Sequence, residues 1–252
     1  MKIDKICRYP VKGLSAEELD RVELVPGEGV PGDRRFALAL AGAGFDPAEP
    51  EWLPKKKFLM LMRDERLASL QTIFDEAEGV LEIRRNAKTV KRGNITTPVG
   101  RALIEDFFAA FMKGTPPGKP RLVQAPGHMF SDRREKFVSI INTASVIDLE
   151  RIVGAPVDPF RFRGNLLVSG LEPWAEFDWV DREVAVGSVR LRIDKRIQRC
   201  PATDVNPGTG ARDMNIPMAL KRGYGHTDMG VFATIIAGGT VAAGDEIIVG
   251  EC

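Results

Sequence analysis

Val189–Asp213 reads VRLRIDKRIQRCPATDVNPGTGARD, an alternating segment that runs into a turn-rich one. Val189, Leu191 and Ile193 alternate with Arg190, Arg192 and Asp194, the period of a strand with one buried face. Pro201, then Asn206-Pro207-Gly208 and Gly210, fold the backbone back on itself. Cys200 therefore stands where a strand ends and a loop begins, displayed rather than packed. Lys195, Arg196 and Arg199 lie close in sequence, and nearby cations favour thiolate, the form that attacks electrophiles or ligates a soft metal. The alternative is an ordinary packed cysteine, since free cysteines rank among the most buried residues.

Downstream of this stretch, Asn215-Ile216-Pro217 starts a short helix ending at Gly223, and Gly230–Gly250 reads as strand, Gly-Gly turn and short strand. Upstream, Lys136–Ile141 reads as a strand, and Asn142 or Thr143 caps a helix whose Val146, Leu149, Ile152 and Val153 face the core before Gly154. Arg161 and Arg163 precede the compact strand Asn165–Val168. They suit an anion clamp, because guanidinium groups match phosphate bidentately, or else they pair with nearby acids.

The N-terminal part is β-rich. Ile3–Val11, Leu19–Val25 and Arg34–Leu40 read as strands separated by the turns Pro26-Gly27 and Pro31-Gly32. Ala41–Pro54 reads as loop, the lysines of Lys55–Met62 as a solvated edge, Arg66–Phe74 as a short helix and Gly79–Arg84 as a strand. In Arg101–Met112, Leu103, Ile104, Phe107, Phe108, Phe111 and Met112 recur at helical spacing, with Gly114 and Pro116-Pro117 as the stop. The Pro- and Gly-rich run Lys113–Pro126 divides the chain into lobes 1–120 and 121–252.

A chain of 252 residues buries a core without disulfide or metal staples. Cys7, Cys200 and Cys252 are far apart and odd in number, which argues against a disulfide framework, a zinc site or an iron–sulfur cluster. The net charge of +1 gives no global field for nucleic acid or anionic membrane, so any anion site is local. The N-terminal MKIDKICRYPVKG has no apolar core of signal-peptide length, and no stretch approaches a membrane span; a cytoplasmic protein is expected.

Tyr9-Pro10-Val11-Lys12, Gly32-Asp33-Arg34, Asn142-Thr143-Ala144-Ser145, Phe162-Arg163-Gly164-Asn165, Ala175-Glu176, Arg199-Cys200, the Thr203–Gly210 loop and Gly244-Asp245 follow one another in order. Together they resemble the MOSC family with its MOSC N-terminal domain, which includes the C-terminal part of molybdenum cofactor sulfurases and the mitochondrial amidoxime-reducing component with its bacterial relatives. The resemblance implies a mixed α/β, β-rich fold: a MOSC β-barrel, a smaller N-terminal β-barrel-like lobe and a few peripheral helices. It also implies binding of the pterin-based molybdenum cofactor (molybdopterin), with Cys200 ligating molybdenum or handling sulfur. Lys12, Arg34, Arg163 and Asn165 then face the cofactor's phosphate and pterin. Arg199 and Thr203 flank the cysteine, and Thr143 and Ser145 present hydroxyls or helix N-terminal amides.

Three departures accompany the resemblance. Gly13 stands where many relatives have Ser, Gly164 replaces a common Pro and loosens the entrance, and Phe45–Lys57 lacks a Thr-x-Arg pattern. No ferredoxin domain follows the MOSC lobe, so a reductase of this kind takes electrons from a separate protein. The first expected function is a molybdenum-dependent reductase of N-oxygenated small molecules. The second is a carrier or sulfur-transfer protein using Cys200 as persulfide or cofactor ligand, supplied by a sulfur donor. The third is a binding module without redox chemistry. Pyridoxal phosphate is not expected, because the chain has no room for its domain.

Overall fold

The computed structural model describes residues 1–113 and 118–250; Gly114, Pro116, Pro117 and Cys252 lie outside the described residues. In chain order the strands and helices of the first half are β1 (Lys2–Arg8), β2 (Glu17–Leu19), β3 (Arg21–Leu24), β4 (Ala37–Ala39), β5 (Gln71–Asp75), β6 (Val80–Arg85), β7 (Lys88–Asn94), α1 (Pro98–Phe111) and β8 (Arg121–Val123). The second half adds β9 (Val138–Asn142), α2 (Thr143–Val153), β10 (Leu166–Ser169), β11 (Glu183–Val186), β12 (Val189–Gln198), α3 (Ile216–Tyr224), β13 (Asp228–Ala237), β14 (Gly239–Ala242) and β15 (Ile248–Val249). The fold is mixed α/β and rich in strands.

An eight-stranded sheet in the order β15-β11-β12-β13-β9-β10-β1-β2 forms the main body. Its two ends meet. Ile3 donates its backbone N–H to Asp245, Gly244 donates to Ile3 and Ile247 donates to Met1, so the segment entering β15 bonds back onto β1. Closure buries a continuous inner face that includes Ile3, Ile6, Val138, Ile140, Leu166, Val168, Leu191, Ile193, Val231 and Ala233. Strand side chains alternate faces, so Ile141 and Leu167 point the other way and receive α2 and α3 through Val146, Leu149, Ile216 and Leu220.

Both of these helices have the expected caps. Asn142 accepts from Ala144 N and Gly154 closes α2 in the left-handed region; Asn215 accepts from Met218 N, and α3 runs to Tyr224 with Gly225 left-handed, two residues beyond the expected stop. A separate three-stranded meander, β5-β6-β7, packs on the apolar face of α1 around Leu67, Leu81, Ile83, Ile104 and Phe108. The helix expected at Arg66–Phe74 is instead a short turn, Glu65–Ser69, followed by β5. In β5, Thr72 and Phe74 are buried between exposed neighbours, a period-two pattern that prevails over the weak helical signal. Among the described residues no helix is long and apolar enough to cross a membrane.

Candidate functional site

β12 delivers the cysteine. Its ladder with β13 slips between Ile193 and Lys195 and again between Arg196 and Gln198. Bulges of this kind bend a strand and re-aim its side chains. As a result Lys195, Arg196, Ile197, Gln198, Arg199 and Cys200 all line one cavity, where an unbroken strand would present alternate residues. Cys200 then opens a tight turn, Pro201–Asp204, in which Thr203 donates both N–H and hydroxyl to the Cys200 carbonyl, at 3.0 and 2.9 Å.

The turn is tied from two sides. Arg161, 4 % exposed, donates to the carbonyls of Thr203 and Asp204 and pairs with Asp213 at 2.6 Å. Arg212 bridges the Pro201 carbonyl to that of Met62. The salt-bridged role therefore fits Arg161. Arg163 differs: among the described residues it makes no ion pair, donates to the Leu14 carbonyl at 2.6 Å and lies over the Tyr9 ring at 4.1 Å. Its Nη2 is buried without a hydrogen-bond partner.

The cavity has a volume of about 520 Å³ and brings Lys12, Arg34, Arg163, Arg199, Cys200 and Thr203 together from distant parts of the chain. Nine lysines and arginines line it against one carboxylate, Asp132. Lys12 is buried, donates to the Phe130 carbonyl at 3.0 Å and pairs with Asp132. Burial pushes its ammonium below the ordinary value. Burial alone would raise the Asp132 carboxyl, but Lys12, Lys55 and Arg34 hold it below the usual range. Arg34 pairs with the buried Asp33, whose other oxygen accepts from Tyr9 N at 2.7 Å.

Burial pushes the guanidinium of Arg163 down to about 10 and that of Arg199 down to about 9. Among the described residues Arg199 pairs with no carboxylate, and it donates to the carbonyls of Met229 and Phe162. Positive charge is thus held here at a cost that a bound anion would relieve.

Asn165, Thr143 and Ser145 do not line the cavity. Asn165 is a latch between strands: it accepts from Ser139 N and Oγ and donates to the Cys7 carbonyl. Thr143 donates to the Val168 carbonyl. Ser145 donates to the fully buried Glu176, which Asn142 also reaches at 2.9 Å, so that two of the sequence motifs form one buried polar knot.

Lys55 is the residue that sequence reasoning set aside. Lys56 is exposed, as expected of a solvated edge, but Lys55 lines the cavity with Nζ 3.6 Å from Cys200 Sγ. Pro54 immediately before it, which starts the short turn, was the available signal. Gly164 also departs from expectation. It is buried, and a Cβ there would lie 2.4 Å from Ile141 Cγ1, so close packing rather than looseness explains this glycine. Gly13, at φ 81°, takes a left-handed conformation that a serine would adopt only with strain.

Residues 125–248 match the MOSC domain family. The human mitochondrial amidoxime-reducing component 1 is 32 % identical over 89 residues, covering 35 % of this chain and 26 % of that protein. The molybdenum cofactor sulfurase of Caenorhabditis briggsae is 26 % identical over 227 residues, 84 % of this chain and 30 % of that one. The chain thus spans about a quarter to a third of the length of these curated relatives. Among solved structures, the YuaD protein from Bacillus subtilis is similar, with a TM-score of 0.47 and 13 % identity over 98 % of this chain and 94 % of that one. β9 to β13 and the Cys200 loop lie within the segment that matches the MOSC domain family, whereas β1, β2 and the cavity residues Lys12, Arg34 and Lys55 precede it.

Proposed function

We propose that the chain binds the pterin-based molybdenum cofactor in this cavity, with the Cys200 sulfur as the protein's metal ligand. The observation that carries the reading is a thiol set among nine cations and one carboxylate in a chain whose net charge is only +1. The donor set fits the group. A soft sulfur suits molybdenum, buried guanidinium groups suit a phosphate, and the unpartnered Nη2 of Arg163 lacks an acceptor. Lys12, Arg34 and Arg163 hold the anionic end, and Arg199 sets the position of Cys200 through its bonds to Met229 and Phe162. Asn165, Thr143 and Ser145 act through the framework that carries these groups.

When bound, the cofactor supplies a redox-active centre with an open coordination position. The activity that follows is reduction of N-oxygenated small molecules, served by a separate electron-transfer protein. The test is to express the chain in hosts with and without cofactor synthesis. Molybdenum and an oxidisable fluorescent pterin are expected only from the first, together with amidoxime reduction by an artificial donor. Folded protein free of metal in both hosts overturns the reading. A second reading, cofactor or sulfur carriage by Cys200, is favoured by one observation: similarity to the sulfurase extends over 84 % of this chain, against 35 % for the amidoxime-reducing component. Bound metal without any reduction would select it.

A further inference from the structure

Lys55 comes from the N-terminal lobe, yet it reaches the sulfur delivered by the barrel. Its backbone is fixed. Lys57 and Phe58 donate to the carbonyls of Pro54 and Lys55, Leu40 donates to Lys57, and Phe58 is buried against Phe130. The side chain is partly covered, with Nζ 3.6 Å from Cys200 Sγ and 3.6 Å from Asp132 Oδ2. Asp132 in turn pairs with Lys12. A row of sulfur, ammonium, carboxylate and ammonium thus crosses the cavity wall, with Lys55 placed between Cys200 and an acid that holds it there.

We propose that Lys55 is the positioning residue of Cys200: its ammonium donates to the cysteine sulfur, orients it in the cavity and withdraws electron density from it when it ligates metal. The inference rests on the reading of Cys200 as the molybdenum ligand. Hydrogen bonds to a ligating sulfur tune the potential of the metal, and residues one step from the ligand govern its orientation. A donor to the sulfur weakens its electron donation, so losing the donor should make the metal harder to reduce.

Two measurements test this. In metal-loaded protein, the molybdenum midpoint potential followed by electron paramagnetic resonance should move to more negative values in Lys55→Met and return towards wild type in Lys55→Arg. Equal potentials in wild type and a fully loaded Lys55→Met overturn the proposal. In cofactor-free protein, ortho-phthalaldehyde, which joins an amine and a thiol a few ångströms apart into a fluorescent isoindole, should link Lys55 to Cys200 and lose that product in Lys55→Met. Peptide mapping that finds no such link in wild type overturns the placement. If wild type binds no molybdenum, the functional reading fails, and the isoindole result alone decides whether Lys55 holds the cysteine.

Discussion

Arg34 donates from Nη2 to the backbone carbonyl of Arg163 at 3.3 Å, and both residues hold left-handed backbone, at φ 50° and 51°. Such conformations cost a non-glycine residue on the order of 1–2 kcal/mol. They persist because Arg34 N is held by the Tyr9 carbonyl and Arg163 N by that of Phe160. Two like charges are thereby brought to one wall of the cavity, and among the described residues Asp33 alone of the carboxylates pairs with either.

Arg163→Ala should lose molybdenum more than it loses stability. A charge-assisted contact to an anion contributes ~1.5–3 kcal/mol, roughly a tenfold to hundredfold change in retention. Metal content after dialysis, read against the urea midpoint of the cofactor-free protein, checks this. A variant that unfolds earlier but keeps its metal would assign Arg163 to the framework.

Cys7 should resist iodoacetamide in native cofactor-free protein while Cys200 labels. Cys7 is fully buried and burial pushes its thiol from 9.0 up to about 12, whereas Cys200 is partly exposed at the cavity. The same shift sets a pH dependence. The folded protein keeps the Cys7 proton that the unfolded chain releases, so this stabilisation is complete below pH 9 and is lost as pH rises towards 12. Stability of wild type relative to Cys7→Ala should therefore fall across that window, and a constant difference would contradict the shift.

Removing Glu176 should damage the fold itself. Glu176→Ala strands the Ser145 hydroxyl and the Asn142 amide in a dry site, a loss of roughly 2–5 kcal/mol in denaturant unfolding. Ser145→Ala should cost about 1–3 kcal/mol and leave metal per folded molecule unchanged. Metal loss without destabilisation in Ser145→Ala would return this hydroxyl to the cofactor.

Gly164→Ala should destabilise by roughly 1–3 kcal/mol, the usual result of overpacking a tight interior, because its new methyl group meets Ile141. Gly164→Ala should cost less in an Ile141→Ala background, which lacks the Cγ1 that the new methyl meets. Thermal unfolding of the single and double variants decides whether the contact is the cause.

Strands with a clean period of two, such as Val189–Ile193, and helices with caps, such as Asn142–Gly154, could be read directly because each residue's local preference agrees with its final burial. β7, Lys-Thr-Val-Lys-Arg-Gly-Asn, could not, since four of its seven residues are exposed and it carries no hydrophobic alternation. At the cavity, Cys200, Arg163, Arg34 and Lys12 were legible from motif and charge. Lys55 was not, because its role depends on a contact across 145 positions that no local pattern encodes. Ser145 and Asn165 look like ligand groups in sequence, but their hydrogen-bonding capacity is spent on Glu176, Ser139 and Cys7.

The position of β1 between β10 and the segment entering β15 bears on how the chain is made. Its Cys7 carbonyl is held by Asn165, 158 positions later, so at 5–20 residues per second the first strand leaves the ribosome roughly 8–30 s before its partner exists. During that wait Ile3 and Ile6 have no inner face to enter. Lys2, Asp4 and Lys5, interspersed among them, give the nascent strand the charges that discourage pairing with a neighbouring chain. The interval between synthesis of β1 and of its partner therefore depends on side chains whose bonds in the finished barrel, Lys5 to Glu18 and Ser169 to Asp4, are exposed.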